Sequence, residues 1–318
     1  MRIVVTGGAG FIGSSLVDAL LGLGHEVVAV DNLVTGRLEF LESARSSDLF
    51  TLVEGDLRDV STVEQAVDGA DAVVHLAANA DVRFGWDEPR LDLEQNVVVT
   101  QNVLESMRRT GVRRLLFSST GSVYGESTTI PTPENAPFPL QTSLYAASKV
   151  AAEGYVSAYA EVGHVDASIF RFVSILGPRY THGHVIDFVA KLRMDPSRLE
   201  ILGDGTQRKS YLHVDDCVAA LLNRLEADIR LEVLNLGRAD YCTVTCSAGW
   251  ICEALGVEPE VTYTGGDRGW IGDNPFILLD TSRMRSLDWE PTYGIRDSVV
   301  STVDWLLDNI DVLEVAVT

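Results

Sequence analysis

The chain's beginning restricts its fold more than any other feature. An apolar, β-branched run from Arg2 leads straight into Gly7-Gly8-Ala9-Gly10-Phe11-Ile12-Gly13. Gly7 permits a tight turn off a strand, Gly10 lets backbone approach a pyrophosphate, and Gly13 lets the following helix lie close on the sheet. The N–H groups that open this helix, around Phe11 and Ile12, favour an anion together with the helix dipole. A second strand, Glu26 to Val30, ends at Asp31, which lies 31 − 13 = 18 residues beyond Gly13. A carboxylate at that spacing accepts hydrogen bonds from an adenosine ribose and repels a 2′-phosphate, so the pattern favours NAD over NADP. Arg37 leaves the second option open, because an arginine nearby can accommodate that phosphate.

From residue 2 to about 172, short apolar runs alternate with amphipathic stretches. The strand candidates after the first two are Phe50 to Val53, Ala72 to His75, Arg113 to Phe117 and Ala167 to Phe172; the helix candidates are Phe11 to Leu23, Glu94 to Arg109 and Ser143 to Glu161. This rhythm predicts an α/β fold, a doubly wound parallel sheet of the NAD(P)-binding Rossmann kind. Beyond Phe172 the rhythm breaks into His-, Gly- and Pro-rich sequence, then Val185 to Met194 and the turn Gly203-Asp204-Gly205. The α/β pattern resumes over Ser210 to Leu225 and Leu231 to Leu236, followed by helical patterns at Val244 to Leu255 and Ile295 to Asn309. The expected organisation is a Rossmann domain over 1–172, with returning segments near 210–240. A smaller C-terminal, substrate-binding lobe takes about 173–209 and 241–318.

Composition narrows the function. The 318 residues carry 25 Lys+Arg against 46 Asp+Glu, a formal charge of −21. That balance opposes binding to nucleic acid or to an anionic membrane surface. No apolar run reaches the ~18 residues of a membrane span, and the first residues have no signal-peptide pattern, so a cytoplasmic protein is expected. Cys217, Cys242, Cys246 and Cys252 contain no C-x-x-C pair and read as small core residues. Only Lys149, Lys191 and Lys209 are lysines.

Tyr145 and Lys149 stand four apart in a helical stretch, so both project from one face. An ammonium beside a phenol favours the phenolate and makes the tyrosine a usable general base. Ser118-Ser119-Thr120 closes the fifth strand at its carboxyl end, the edge where doubly wound sheets bind ligands. Asp56, after the third strand, suits an adenine edge or a helix cap. Leu76, Ala77 and Ala78, after the fourth, leave room for a cofactor.

These residues resemble the extended short-chain dehydrogenase/reductase superfamily, and within it the nucleotide-sugar 4-epimerases of the UDP-glucose 4-epimerase type. The carriers are G-G-A-G-F-I-G at 7–13, Asp31-Asn32-Leu33 with Gly36-Arg37, Leu76-Ala77-Ala78, Asn96, the run Ser118 to Gly125, and Tyr145-Ala-Ala-Ser-Lys149. Further along, Gly203 to Tyr211 and Leu287 to Pro291 look like the family's C-terminal motifs, so the resemblance spans nearly the whole chain. It implies a tightly held NAD reduced and reoxidised within each turnover, and a transient 4-keto sugar. By the same resemblance Tyr145 takes the O4 proton, Lys149 binds the nicotinamide ribose, and Thr120 hydrogen-bonds O4. Asn32, Gly36, Asp56, Leu57, Asn96 and Ser118 join the cofactor site. A homodimer through the helices Asn96 to Arg109 and Ser143 to Glu161 is implied, and no metal is needed because the cofactor accepts the hydride.

Within the family, 4,6-dehydratases carry Asp-Glu directly after the threonine; here Gly121 and Ser122 stand there and cannot exchange a proton. Ser174 replaces an asparagine expected near the diphosphate. Glucuronate 4-epimerases often have threonine at that position, but their following arginine corresponds to Thr181. Ile277 stands where a bulky tyrosine restricts some epimerases, so a 2-acetamido sugar is conceivable. Diphosphate partners are expected from Arg208 and Lys209, in the place of the family's arginine, and from Arg268, if it is not simply a solvated charge. The later R-x-G-D motif reads Trp270-Ile271-Gly272-Asp273, which puts Asp273 with the substrate residues. His182 and His184 read as loop or substrate-facing side chains. The substrate expected is UDP-glucose/UDP-galactose, with UDP-glucuronate 4-epimerase or 4,6-dehydratase activity as the alternative. The acidic, lysine-poor composition fits a high-salt cytoplasm in which surface repulsion is screened.

Overall fold

The computed structural model describes residues 1–82, 84–270 and 272–312. Ile271 and the last six residues of the expected C-terminal lobe therefore lie outside the described residues. In chain order the first half runs β1 (Arg2–Thr6), α1 (Phe11–Gly22), β2 (Glu26–Asp31), β3 (Phe50–Glu54), α2 (Val60–Val67), β4 (Ala72–His75), α3 (Phe84–Asp87), α4 (Pro89–Asp92), α5 (Val99–Thr110), β5 (Arg114–Thr120), α6 (Leu144–Glu161) and β6 (Asp166–Phe172). The second half runs β7 (Ser174–Leu176), α7 (His184–Met194), β8 (Arg198–Ile201), β9 (Arg208–Lys209), β10 (Tyr211–His213), α8 (Val214–Arg224), β11 (Leu231–Leu236), β12 (Cys242–Thr243), α9 (Val244–Leu255), β13 (Glu260–Tyr263), β14 (Phe276–Ile277), α10 (Ser282–Arg285) and α11 (Ile295–Asp308).

The main sheet has seven strands in the order β11-β6-β5-β4-β1-β2-β3. The pairs β1/β2, β1/β4, β2/β3 and β4/β5 are all parallel. This is the doubly wound order, and its direction reverses between β1 and β4, the switch point at whose carboxyl ends such sheets bind ligands. Strands β1, β2, β4 and β5 are buried along nearly their whole length, which explains why their sequences read as unbroken apolar runs. The helix over Glu94 to Arg109 is not continuous: Leu93–Val98 is π-helical and α5 begins at Val99. Helix α2, an eight-residue run absent from the expected helices, is capped by Asp59, whose side chain accepts from the Ser61 N–H at 2.9 Å. That settles the cap against Asp56.

Two compact units are formed. The first comprises Met1–Val123, Leu140–Arg171 and Val218–Leu234; the second comprises Tyr124–Pro139, Phe172–Cys217 and everything described from Asn235 on. The excursion Tyr124–Pro139 had no signal in the sequence. Val4, Val28, Val73, Leu115 and Phe117 form the first unit's core with Val103, Leu104, Met107 and Val156 from α5 and α6. In the second, β9 lies between antiparallel β12 and parallel β14, and α11 packs on α9 and α7. Cys217 and Cys242 are buried as expected, but Cys246 is exposed and Cys252 partly so. Among the described residues no helix is long and apolar enough to cross a membrane.

Candidate active site

The turn after β1 is shaped to let something approach backbone. Gly7 has φ +68°, and a β-carbon there would meet the Ala77 nitrogen at 2.8 Å. At Gly13 a β-carbon would lie 2.0 Å from the Gly7 carbonyl oxygen, so only glycine lets α1 rise from this turn. Gly10 is the N-cap of α1; it offers no side-chain cap, and no acidic residue stands in the first turn. A helix start lacking both a cap and a carboxylate suits a bound phosphate. Asp31 is 8% exposed at the end of β2. Its oxygens accept from the Ala9 and Leu33 N–H groups, each at 2.9 Å. Burial pushes this carboxyl above its ordinary range, and the backbone donors pull the other way. A β-carbon at Gly36 would sit 2.6 Å from Asp31 Oδ1, and the Arg37 N–H donates to the Ala9 carbonyl at 2.9 Å. Asp56 is engaged by Arg58 at 2.7 Å, and that hydrogen bond holds its carboxyl below the usual range; Asn32 reaches it at 3.5 Å. Leu57 is buried beside it.

Behind the turn runs a hydrogen-bonded chain the sequence did not announce. The N–H groups of Leu76 and Ala77 both donate to Thr6 Oγ1 at 3.2 Å, and Thr6 Oγ1 lies 2.7 Å from His75 Nδ1. On the other side of the ring, Nε2 lies 3.1 Å from Thr100 Oγ1, whose hydrogen goes to the Asn96 carbonyl at 2.6 Å. Thr100 must therefore accept from Nε2–H, which leaves Nδ1 to accept from Thr6 and fixes one neutral tautomer. Burial, with the Lys149 charge adding to it, depresses the His75 pKa to about 3. Asn96, expected to face the cofactor, is 2% exposed and turned inward. Its amide bonds the Asn79 N–H at 2.9 Å and Ser148 Oγ at 2.8 Å, so both ends of the amide are engaged within the protein.

At the carboxyl end of β5 the catalytic candidates meet. The Tyr145 hydroxyl is hydrogen-bonded to the Thr120 side chain. Thr120 Oγ1 also accepts from the Ser122 N–H at 3.1 Å. Lys149 is 3% exposed and donates to the Ser118 carbonyl at 3.0 Å. The Ser118 hydroxyl, in contrast, is turned to the His75 carbonyl at 3.0 Å. Ser143 caps α6 through the Ala146 N–H at 3.1 Å, which sets the register that brings Tyr145 and Lys149 to one face. Four residues on from Lys149, buried Glu153 takes the Arg171 guanidinium at 3.0 and 2.7 Å and the Ser119 hydroxyl. Burial lowers the Lys149 pKa to about 8 against the opposing pull of Glu153 and Asp92. The expected drop in the Tyr145 pKa does not occur in the protein alone: burial outweighs the Thr120 hydrogen bond and pushes the phenol up to about 12. A positive charge beside the phenol beyond those of the chain itself is what would bring it down.

The substrate candidates of the second unit are largely committed to one another. Lys209 Nζ lies 2.7 Å from Asp273 Oδ1 and also donates to the Asn274 carbonyl. Asp273 Oδ2 accepts from the Gly269 N–H at 3.0 Å. Arg268 donates to the Asp273 carbonyl at 3.0 Å and pairs with Glu126, so it is no freely solvated charge. Arg208 points the other way along β9, its guanidinium 3.8 Å from the centre of the Phe276 ring. Ile277 is half-buried next to Lys209 in β14, and Ser174 is exposed at the start of β7. His184 Nε2 lies 2.8 Å from Ser247 Oγ, and His182 stacks on Tyr180.

Comparison with known proteins agrees with this geometry. The model of the NAD dependent epimerase/dehydratase family matches residues 3–237. The UDP-glucose 4-epimerase of Mycolicibacterium smegmatis is 34% identical over 311 residues, which is 96% of this chain and 98% of that protein. A crystal structure of a UDP-galactose 4-epimerase superposes with a TM-score of 0.87 at 41% identity, covering 98% of this chain and 100% of the other. The Thermus thermophilus UDP-glucose 4-epimerase, solved in complex with NAD, superposes with a TM-score of 0.84 at 32% identity, covering 96% and 99%.

Proposed function

The chain belongs to the NAD-dependent epimerase/dehydratase family, and from that premise we propose that it is a UDP-sugar 4-epimerase interconverting UDP-glucose and UDP-galactose. The observation that carries the reading is the assembled Tyr145–Thr120 hydrogen bond beside buried Lys149, followed by Gly121 and Ser122. Elimination at C6 needs an acid/base pair after Thr120, and neither glycine nor serine supplies one at neutral pH. The cradle of Gly7, Gly10 and Gly13 with the Asp31 carboxylate fits a dinucleotide, and when bound NAD supplies the reversible hydride acceptor for C4.

The chain's own residues do the rest. Tyr145 takes the proton of the sugar O4 and returns it, Thr120 orients that hydroxyl, and Lys149 holds positive charge beside the phenol and binds ribose. Arg208, with no carboxylate paired to it among the described residues, is the stronger candidate for a diphosphate oxygen; Lys209 is balanced by Asp273. Arg268, Asp273, Ser174 and Ile277 complete the substrate set, and the smaller Ile277 admits an N-acetyl group. The first unit serves as the NAD-binding domain and the second as the nucleotide-sugar lobe. A homodimer and a cytoplasmic location belong to the same reading; exposed Ala147, Ala151, Tyr155 and Ala158 on one side of α6 support the dimer.

The test supplies UDP-galactose, UDP-N-acetylgalactosamine and UDP-glucuronate separately, without added NAD or NADH. UDP-glucose should form from the first fastest. Preferential turnover of UDP-glucuronate, or accumulation of a 4-keto-6-deoxy sugar, would replace this assignment by one of its alternatives.

A further inference from the structure

Besides Glu153, which Arg171 neutralises, the site contains a buried carboxylate that the proposed chemistry does not use. Asp92 ends α4 where the π-helical segment begins, and it is 1% exposed. Its Oδ1 accepts from Asn79 Nδ2 at 2.8 Å and from Asn96 Nδ2 at 3.3 Å. Its Oδ2 is buried with no hydrogen-bond partner among the described residues. A buried acceptor left this way carries a desolvation penalty that a natural core rarely tolerates without use.

What surrounds Oδ2 shows how tightly it is placed. A β-carbon on Gly85 would lie 2.2 Å from Oδ2 and 3.4 Å from the Leu144 β-carbon, so a glycine in α3 is what lets this carboxylate close against the start of α6. From Oδ1 a continuous bridge runs to the catalytic helix. Asn96 Nδ2 reaches Ser148 Oγ at 2.8 Å, and Ser148 donates to the Tyr145 carbonyl at 2.7 Å.

We propose that Asp92 is a positioning residue for the Tyr145–Lys149 pair, holding the first turn of α6 through Asn96 and Ser148 and balancing the Lys149 ammonium with its own buried charge. This rests on reading Tyr145 as the proton-transferring group. In this role Asp92 acts through Asn96 and Ser148 and not on the substrate itself. The charged and titratable groups around it, among the described residues, are few. Tyr145 and Lys149 lie on α6, which packs on α4 and the π-helical segment, and His75 is neutral. Glu153 is matched by Arg171. Asp87 on α3 is exposed, and Arg90 and Glu94 on Asp92's own run pair with each other at 3.1 Å. Burial raises the Asp92 carboxyl while the Lys149 charge lowers it, and the Asp92 charge in turn raises both Lys149 and Tyr145.

The sign of the test follows. Asp92→Asn keeps the Oδ1 acceptor and removes the charge, so Tyr145 and Lys149 should both lose their protons at lower pH. In the holoenzyme the Tyr145 phenolate is read by ultraviolet difference absorbance, as the component absent from Tyr145→Phe. It should move to lower pH by about half a unit or more, and both limbs of the kcat profile should move the same way. Ser148→Ala cuts the bridge without touching the charge; kcat should fall by about tenfold or more, with KM within about twofold and the pH limbs in place. Titration of Asp92→Asn coincident with the wild type would overturn the charge role, and an unchanged kcat in Ser148→Ala would overturn the anchoring role. Should Asp92→Asn not fold, Ser148→Ala decides the anchoring role, and Asp92→Ser, smaller and equally uncharged, decides the charge role by the same titration. The phenolate titration needs no sugar, so a wrong substrate assignment leaves it readable.

Discussion

Lys149 Nζ lies 3.0 Å from the carbonyl oxygen of Ser118, a contact that ties the middle of α6 to the carboxyl end of β5. It consumes one of three ammonium donors; in the proposed reading the others serve a ribose. Lys149→Met should therefore keep the fold and lower kcat by about 10²-fold or more, with weaker NAD retention. Activity with bound cofactor measures both; wild-type turnover in this variant would remove Lys149 from the mechanism.

Gly13 faces the Gly7 carbonyl with no space for a methyl group. Gly13→Ala forces α1 off the turn, at a cost of about 1–3 kcal/mol. NAD content after purification should fall sharply while circular dichroism keeps the α/β spectrum. An unchanged content would mean that the glycine turn does not hold the cofactor.

His75 is buried and His184 half-buried; both are neutral, with pKa values depressed to about 3 and about 4 by desolvation. A folded value below the unfolded 6.5 means that the unfolded chain takes up the proton first. Their contribution to stability is complete above about pH 6.5 and is lost as pH falls towards 4 and then 3. For His75 the loss amounts to about 3 kcal/mol by pH 4. Denaturant melts across that range should show it, and His75→Gln should flatten the slope. An equal slope in the variant would place the acid sensitivity elsewhere.

The acidic excess lies on the outside: Glu39, Glu42, Asp48, Asp228, Glu258 and Glu260 are all exposed. At ~1 M salt the screening length shrinks to ~3 Å, so this self-repulsion fades. Thermal midpoints should rise from low to molar KCl; a flat response would count against a high-salt adaptation.

How much of this was legible in the sequence depended on how local each signal was. Gly7, Gly10, Gly13 and Asp31 lie within one β-α-β unit, and Tyr145 and Lys149 within one helical turn, so spacing alone located them. Asp92 and Asn96 stand four apart, yet their partners Asn79 and Ser148 come from other elements. The π-helical stretch at Leu93–Val98 has no sequence period that separates it from an α-helix, and the two ran together in the pattern. The sequence marks Lys209 as a charge within the expected substrate motif. Its compensation by Asp273, 64 residues away, required the fold.

The central claim is that one hydrogen leaves and returns at C4 within a single binding event. Incubation with UDP-galactose in deuterated water, without added NAD or NADH, tests it by proton NMR. The account predicts that UDP-glucose appears with protium retained at C4, and that the same equilibrium is reached from UDP-glucose. Deuterium at C4, or no interconversion by enzyme carrying its cofactor, would contradict it.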